Sequence, residues 1–269
     1  MDVEDPKPSV EFKATDQDYK YIGKDPRTMR YNFIHDRTDR PEVIRTDVDF
    51  KKTDLPEYDG LYATILDNCF TEAECNALVS MAEAQTNGSW EPAMINVGGN
   101  RQELMLYSRD CGRIIWDDEE LVANIWSRVK DFVPEITSLT NVPKVTGNWP
   151  ALKKETWEMS RLNERMRFLK YSKGQYFRPH CDGHYETPHG DERSYFTLHL
   201  YLNDSVDGNI GGGATTFHSM NMKRQYDVAP KTGRVLLFQQ RGLLHSGADV
   251  TSGTKFTLRT DLMYKKPSK

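Results

Sequence analysis

The sequence has no long hydrophobic run, few cysteines and no excess of basic residues, and each absence excludes a class of protein. No stretch of eighteen apolar residues occurs in its 269 residues, which argues against a transmembrane helix. Four cysteines are too few for a disulfide framework, and the acidic N-terminus has no apolar segment typical of a secretion signal. A net charge of −4 argues against a protein dedicated to nucleic acid. We therefore expect an intracellular, cytoplasmic protein that binds neither membrane nor nucleic acid.

Charge divides the chain into two parts. Residues 1–57 hold 25 charged residues, 11 Lys or Arg and 14 Asp or Glu, and their apolar residues are scattered. Such a composition predicts an extended or disordered arm, because it offers little apolar surface to bury. The folded domain is predicted to span 58–269.

Two helices are predicted in the first part of this domain. Thr71 and Glu74 form a capping-box pattern, which predicts a helix that ends near Gln85. Apolar residues at helical spacing predict a second helix over 118–132. We expect these helices to form a support over 71–133, followed by an irregular segment.

The composition and pattern of the sequence change at Arg165. Short runs rich in aromatic and β-branched residues, separated by turns, continue to about residue 266. This spacing is typical of an antiparallel sandwich or small barrel. The predicted fold class is therefore mainly β with flanking helices, and the β core spans about 165–266.

A potential metal site lies in the segment Phe177-Arg178-Pro179-His180-Cys181-Asp182. Side chains alternate along a strand, so His180 and Asp182 point to the same side. His245 follows another apolar strand and offers a third ligand. Two histidines and one carboxylate are the ligand set of non-haem Fe(II) oxygenases. Alone, a histidine two residues before an aspartate is a weak signal.

The final strand carries two cations on its polar face. Lys255, Thr257 and Arg259 share that face, and Phe256 and Leu258 take the other. Buried cations are costly without an anionic partner. The strand therefore suits the far carboxylate of 2-oxoglutarate, the common co-substrate of such oxygenases.

These segments together resemble the 2-oxoglutarate/Fe(II)-dependent dioxygenase superfamily, and most closely its prolyl 4-hydroxylase-like catalytic domains. The resemblance covers about residues 60–266 and implies a double-stranded β-helix, or jelly-roll, core. It rests on the following motifs in order: Leu66-Asp67-Asn68-Cys69-Phe70-Thr71-x-x-Glu74-Cys75, Tyr171-x-x-Gly174-Gln175-Tyr176-x-x-Pro179-His180-x-Asp182, Tyr201-Leu202-Asn203, Gly212-Gly213-Ala214-Thr215-Thr216-Phe217, Gly233-Arg234-x-Leu236-x-Phe238, His245 and Lys255.

The resemblance implies a role for each matching residue. Fe(II) is expected on His180, Asp182 and His245, which are the predicted catalytic and metal-binding residues. Lys255 is the expected partner of the 2-oxoglutarate C5 carboxylate, and Arg259 is the alternative. Tyr171 and Tyr201 are expected to form hydrogen bonds with the co-substrate.

The implied activity is coupling of 2-oxoglutarate decarboxylation to oxidation of a C–H bond, with Fe(II), 2-oxoglutarate and O2 as cofactors and co-substrates and ascorbate as a candidate reductant. Hydroxylation is the favoured outcome, and desaturation or cyclisation stay open. The substrate is a small molecule or a prolyl or peptidyl group, with contacts expected in the loops at 96–110 and 183–193. Two alternatives are a cupin-like metal enzyme that does not use 2-oxoglutarate and a catalytically silent jelly-roll binding module. Oligomeric state is left open.

Overall fold

The computed structural model describes residues 41–98, 101–205 and 209–267. The α-helices are α1 (Glu72–Gln85), α2 (Glu119–Ser127), α3 (Pro143–Thr146) and α4 (Asn148–Leu152). Short 3-10 helices lie at Phe50–Lys52, Pro56–Tyr58, Lys130–Phe132 and Pro134–Ile136. Within these residues no helix is both long enough and apolar enough to cross a membrane.

The strands are numbered in chain order. Their bounds are β1 (Ile44–Asp47), β2 (Ala63–Asp67), β3 (Glu91–Pro92), β4 (Ile95–Gly98), β5 (Arg101–Glu103), β6 (Arg109–Asp110), β7 (Gly112–Asp117), β8 (Ser138–Thr140), β9 (Thr156–Leu162), β10 (Arg165–Ser172), β11 (Tyr176–His180), β12 (Glu192–Tyr201), β13 (Gly211–Gly212), β14 (Thr215–His218), β15 (Gln225–Val228), β16 (Val235–Gln239), β17 (His245–Gly247), β18 (Val250–Ser252) and β19 (Thr254–Lys265).

Two antiparallel sheets form the jelly roll. The major sheet has the order β1-β2-β16-β12-β19-β10-β7-β3, with β9 also paired to β19 and β8 paired to β9. The minor sheet has the order β15-β14-β17-β11-β6. Two further sheets have two strands each, one formed by β13 and β18 and the other by β4 and β5. This architecture confirms the predicted fold class, mainly β with flanking helices.

The helices begin where the sequence predicts. Thr71 accepts a hydrogen bond from the Glu74 amide, and the Glu74 carboxylate accepts one from the Thr71 amide, so the capping box is present. Asp118 caps α2 at the Leu121 amide. The predicted second helix ends earlier than expected, at Ser127, and the chain continues through the 3-10 turn near Phe132.

The main core lies between the helices and the outer face of the major sheet. It joins buried apolar side chains from both layers. Those of the helices include Cys75, Leu78, Met81, Leu121 and Ile125, and those of the sheet include Met166, Phe168, Leu198, Leu200, Val235, Leu237, Leu258 and Leu262.

Strands also form where no strand was predicted. β7 lies within the segment expected to be helical support and pairs with β10, and β9 lies within the segment expected to be irregular and pairs with β19. Tertiary pairing fixes both, because each covers an edge of the predicted core that would otherwise expose unpaired backbone groups.

The folded unit begins before the predicted boundary between residues 57 and 58. β1 pairs with β2, and Phe50, Leu55 and Tyr58 are buried against the inner side of the sheets. Phe50 packs edge-to-face on Tyr58 and Phe217, with ring centroids 5.7 and 5.5 Å away. A few well-spaced apolar residues thus anchor a highly charged segment. The rest of the predicted arm, residues 1–40, lies outside the described residues.

Replacing Phe50 with alanine should lower the free energy of unfolding by about 3–5 kcal/mol, because it empties a site that is 1% exposed. Urea unfolding followed by circular dichroism measures the change. Ile44→Ala is the matched control on the same segment, since Ile44 is 55% exposed, and it should cost less than about 1 kcal/mol. Equal stability of Phe50→Ala and wild type would show that this segment is not part of the cooperative unit.

Candidate active site

Three potential metal ligands meet at one end of the minor sheet. His180 ends β11 and His245 begins β17, and these two residues are directly paired across the strands. Asp182 follows two residues after β11. The ligand atoms of the three side chains all lie within 4.8 Å of one another. Asp182 Oδ1 is 3.5 Å from His180 Nε2 and 3.7 Å from His245 Nε2.

Both imidazoles are held in the same way. His180 Nδ1 is 2.9 Å from the Arg178 carbonyl oxygen, and His245 Nδ1 is 3.0 Å from the Leu243 carbonyl oxygen. Because a carbonyl only accepts, each Nδ1 carries the proton and each Nε2 keeps its lone pair. The stacked ring of Phe177, 3.7 Å away between centroids, further fixes His180.

The polar atoms at the centre fit a metal ion. His180 Nε2 is buried and has no hydrogen-bond partner among the described residues. Burial lowers the pKa of His245 to about 4, so this imidazole is neutral near pH 7. A buried lone pair without a donor is costly, and a metal cation at this point would satisfy it.

Asp182 supplies the negative charge. Thr197 Oγ1 donates to its Oδ2 at 2.7 Å, and Arg259 Nη2 lies 2.9 Å from its Oδ1. Burial raises the pKa of this carboxyl group, but the Arg259 cation, His245 and His180 outweigh burial and hold the pKa well below its usual value. The side chain is therefore an anion, as a metal ligand must be.

A cavity opens from the triad into the space between the two sheets. It is lined by Arg109, Leu169, Tyr171, Phe177, His180, Asp182, His199, Thr215, Phe238, His245, Ser246, Gly247, Lys255 and Arg259. Six of the seven residues predicted from the sequence are in this set. The seventh, Tyr201, lies behind the surface, where its hydroxyl donates to Thr215 Oγ1 at 2.6 Å.

Lys255 is the most unusual group in this cavity. Its side chain is buried, and its Nζ lies 5.3 Å from the ring centre of Tyr171 and 5.5 Å from that of Tyr201. Burial lowers the pKa of Lys255 to about 7. Among the described residues no carboxylate forms an ion pair with it, so the position is complementary to an anion from outside the chain.

Two residues outside the seven predicted site residues also line the cavity. Arg109 lies over the Phe177 ring at 4.4 Å and is buried beside Tyr171. His199 faces the cavity because it is paired with Arg259 across β12 and β19. Burial, and then Lys255 and Arg259, hold the pKa of His199 well below its usual value. Arg109 belongs to the loop at 96–110 that was predicted to contact substrate, and the register of β12 against β19 places His199 at the site.

The two loops predicted to contact substrate contribute residues to two different cavities. The first forms the β4–β5 hairpin and then places Arg109 inside the cavity itself; its residues 99–100 lie outside the described residues. The second contributes His184 and Arg193 to an outer cavity that begins at Asp182. Position 212 requires glycine, because its φ is 70° and a Cβ there would lie 2.3 Å from the Asp249 carbonyl oxygen.

The solved structures that are similar to this chain include two prolyl hydroxylases. A Pseudomonas putida prolyl-4-hydroxylase is 15% identical, with 79% of this chain and 96% of that chain covered and a TM-score of 0.52. The viral collagen prolyl hydroxylase of Paramecium bursaria Chlorella virus-1, in complex with 2-oxoglutarate, is 19% identical over 77% of this chain and 97% of that chain, with a TM-score of 0.47. The chain has no match among the curated proteins.

The sequence of residues 166–260 matches the family model described as the 2OG-Fe(II) oxygenase superfamily. This range begins in β10, ends in β19 and contains the three potential metal ligands together with Lys255 and Arg259. The resemblance seen in the sequence motifs is thereby confirmed. The match covers less than half of the chain but includes the whole candidate site, and the activity that it supports is that of a 2-oxoglutarate-dependent non-haem iron dioxygenase.

Proposed function

We propose that this enzyme hydroxylates a peptidyl or small-molecule substrate with Fe(II) held by His180, Asp182 and His245. The observation that carries the proposal is the convergence of three ligand atoms beside a buried lysine that has no anionic partner in the described part of the chain. When bound, Fe(II) and 2-oxoglutarate use O2 to oxidise the substrate: one oxygen atom enters succinate as CO2 leaves, and the other becomes the new hydroxyl group.

The protein's own groups prepare this chemistry. Two neutral imidazoles and one carboxylate neutralise only one charge of Fe(II) and belong to the ligand type that leaves open positions for co-substrate and oxygen. Thr197 and Arg259 hold Asp182 in place through its two carboxylate oxygens. The carboxylate can therefore present a fixed oxygen to the metal without losing its other contacts.

Lys255 is the proposed partner of the far carboxylate of 2-oxoglutarate. Arg259, the alternative, already contacts Asp182 at 2.9 Å and lies 3.7 Å from Asp261 Oδ1. The Lys255 ammonium lies beside the rings of Tyr171 and Tyr201 and pairs with no carboxylate of the described residues. A carboxylate placed there would turn a costly buried cation into a charge-assisted pair. Tyr171 lines the same cavity, whereas Tyr201 would act through Thr215.

The experiment that tests the proposal needs no knowledge of the substrate. Fe(II) and then 2-oxoglutarate are added to the metal-free protein without O2, and the visible spectrum is recorded. A metal-to-ligand charge-transfer band, followed by succinate formation when O2 is admitted, is the expected result. Bound iron without a band would favour a cupin-like enzyme, and no bound iron would favour a silent binding module. Ascorbate as reductant and a cytoplasmic location remain predictions.

His180→Ala should abolish tight Fe(II) binding, because it removes one of three ligands and leaves two. Equilibrium dialysis of Fe(II) under anaerobic conditions measures the loss. The control is His184→Ala, which removes the histidine two positions after Asp182 and should bind Fe(II) like the wild type. Undiminished iron binding by His180→Ala would contradict the proposed ligand set.

Lys255→Met should weaken 2-oxoglutarate binding about 30-fold or more, because removal of one partner of a buried charge pair costs about 2 kcal/mol or more. The charge-transfer band titrated with 2-oxoglutarate gives the dissociation constant. Lys170→Met is the matched control on β10, since the Lys170 ammonium lies over Trp90 and Phe256 and not in the cavity. A normal dissociation constant for Lys255→Met would move the assignment to Arg259.

Binding of 2-oxoglutarate should weaken as the pH rises above 7. The free enzyme has a Lys255 pKa of about 7, and a bound carboxylate raises that pKa because it favours the charged ammonium. Above pH 7 binding must therefore take up a proton, and the affinity should fall by up to about tenfold per pH unit. Titrations at pH 7, 8 and 9 measure the slope. Lys255→Met should give a flat profile, and a flat wild-type profile would refute the effect.

A further inference from the structure

A second cavity leads outward from the metal site. It has a volume of about 240 Å³ and is lined by Val145, Thr146, Asp182, His184, Arg193, Ser194, Tyr195, Gln240 and Arg241. Asp182 belongs to both this cavity and the inner one. A molecule in the outer cavity would therefore reach the potential metal ligand Asp182 without contacting Lys255, which lines only the inner one of these two cavities.

The outer cavity continues into a trough on the surface. An adjoining cavity of about 420 Å³ shares Thr146, Arg193 and Arg241 with it and adds the region around α4. There Trp149 and Leu152 are 73% and 74% exposed. The route from Asp182 thus passes two arginines and ends beside exposed apolar side chains.

The charges along this route are unbalanced. Asp182 is the one acidic residue that lines either outer cavity in the part of the chain described, and Arg259 already contacts it. Among the described residues the Arg241 guanidinium forms no hydrogen bond or ion pair. Arg193 Nη2 contacts Glu186 at 2.6 Å, and the guanidinium also contacts the Tyr195 hydroxyl.

A buried tyrosine lies beside one of these arginines. Tyr195 is 5% exposed and lines the cavity, and its hydroxyl contacts the Arg193 guanidinium. Arg241 is exposed and pairs with no carboxylate of the described residues. Guanidinium donors at the wall of a cavity suit a ligand that supplies oxygen atoms with negative charge.

We propose that the substrate carries a carboxylate, which Arg241 and Arg193 bind in the outer cavity while a nearby C–H group faces the metal site at Asp182. This inference rests on the proposed function and deepens it by naming the substrate class. The carboxylate can belong to a free organic acid or to an acidic side chain of a peptide. The exposed Trp149 and Leu152 would contact an apolar part of the same molecule.

The test compares acids with their amides on the full chain. Zn(II) replaces Fe(II) so that the complex stays diamagnetic and cannot turn over, and saturating 2-oxoglutarate fills the inner cavity. Ligand-observed NMR then gives dissociation constants for two pairs: phenylacetate with phenylacetamide, and acetyl-Ala-Pro-Asp-amide with acetyl-Ala-Pro-Asn-amide. The pair that discriminates identifies the source of the carboxylate.

The expected result is at least tenfold tighter binding of the acid in one pair, and loss of that preference in Arg241→Gln. Arg241→Gln should fold normally, since Arg241 has no described contact partner to lose. Arg165→Gln, which alters an arginine paired with Asp117, should keep the preference. No preference for an acid in either pair, or a preference that persists in Arg241→Gln, would overturn the inference.

Two controls separate this inference from the proposed function. The acid probes should bind the wild type without displacing 2-oxoglutarate, because the Lys255 cation lies in the other cavity; displacement of 2-oxoglutarate would show that the probes bind at Lys255 and would also overturn the inference. The anaerobic charge-transfer band of the wild type tests the proposed function by itself. A wild type with the band but without acid preference contradicts the inference alone.

Discussion

The antiparallel pairing of β11 with β17 is the constraint on which the metal site depends. It places His180 directly opposite His245, two residues that lie far apart in the chain. Side chains change face with every residue of a strand, so a shift of the register by one position would move one histidine to the other side of the sheet. The neighbouring strands β6 and β14 pair with β11 and β17 and hold both in register. The relative position of the two histidines is thus set by the strand register of the minor sheet.

Charge in the inner cavity follows from this arrangement. The described residues place three cations there, Arg109, Lys255 and Arg259, against the single carboxylate of Asp182. Arg259 is balanced by Asp182, and Arg109 lies on the Phe177 ring. Lys255 lies beside aromatic rings, and no carboxylate of the described residues pairs with it. A dianionic co-substrate bound as proposed would offset the cost of this burial, which would link the polar face of β19 to the choice of 2-oxoglutarate.

Much of this could be predicted from the sequence, because the informative signals are local. The capping box of Thr71 and Glu74 and the alternation around His180 and Asp182 need only neighbouring residues, and the structure contains both features. Register is not local. The sequence could not show that His199 would face Arg259 or that Tyr201 would point its hydroxyl at Thr215. Both depend on which strands become neighbours.

The position of the segment containing Phe50 could not be predicted from the sequence either. Its high charge predicts an unfolded arm, yet Phe50 contacts Phe217, and the Phe217 and Phe238 rings lie 6.2 and 4.8 Å from the ring of His245. The segment therefore packs behind the aromatic side chains that contact His245, a proposed metal ligand. A few buried aromatic side chains outweigh many solvated charges, because exposed charges lose little on folding while each buried ring removes a large apolar surface from water. The average composition of the segment does not show this difference between buried rings and exposed charges. The aromatic side chains that contact His245 depend on that difference for their packing.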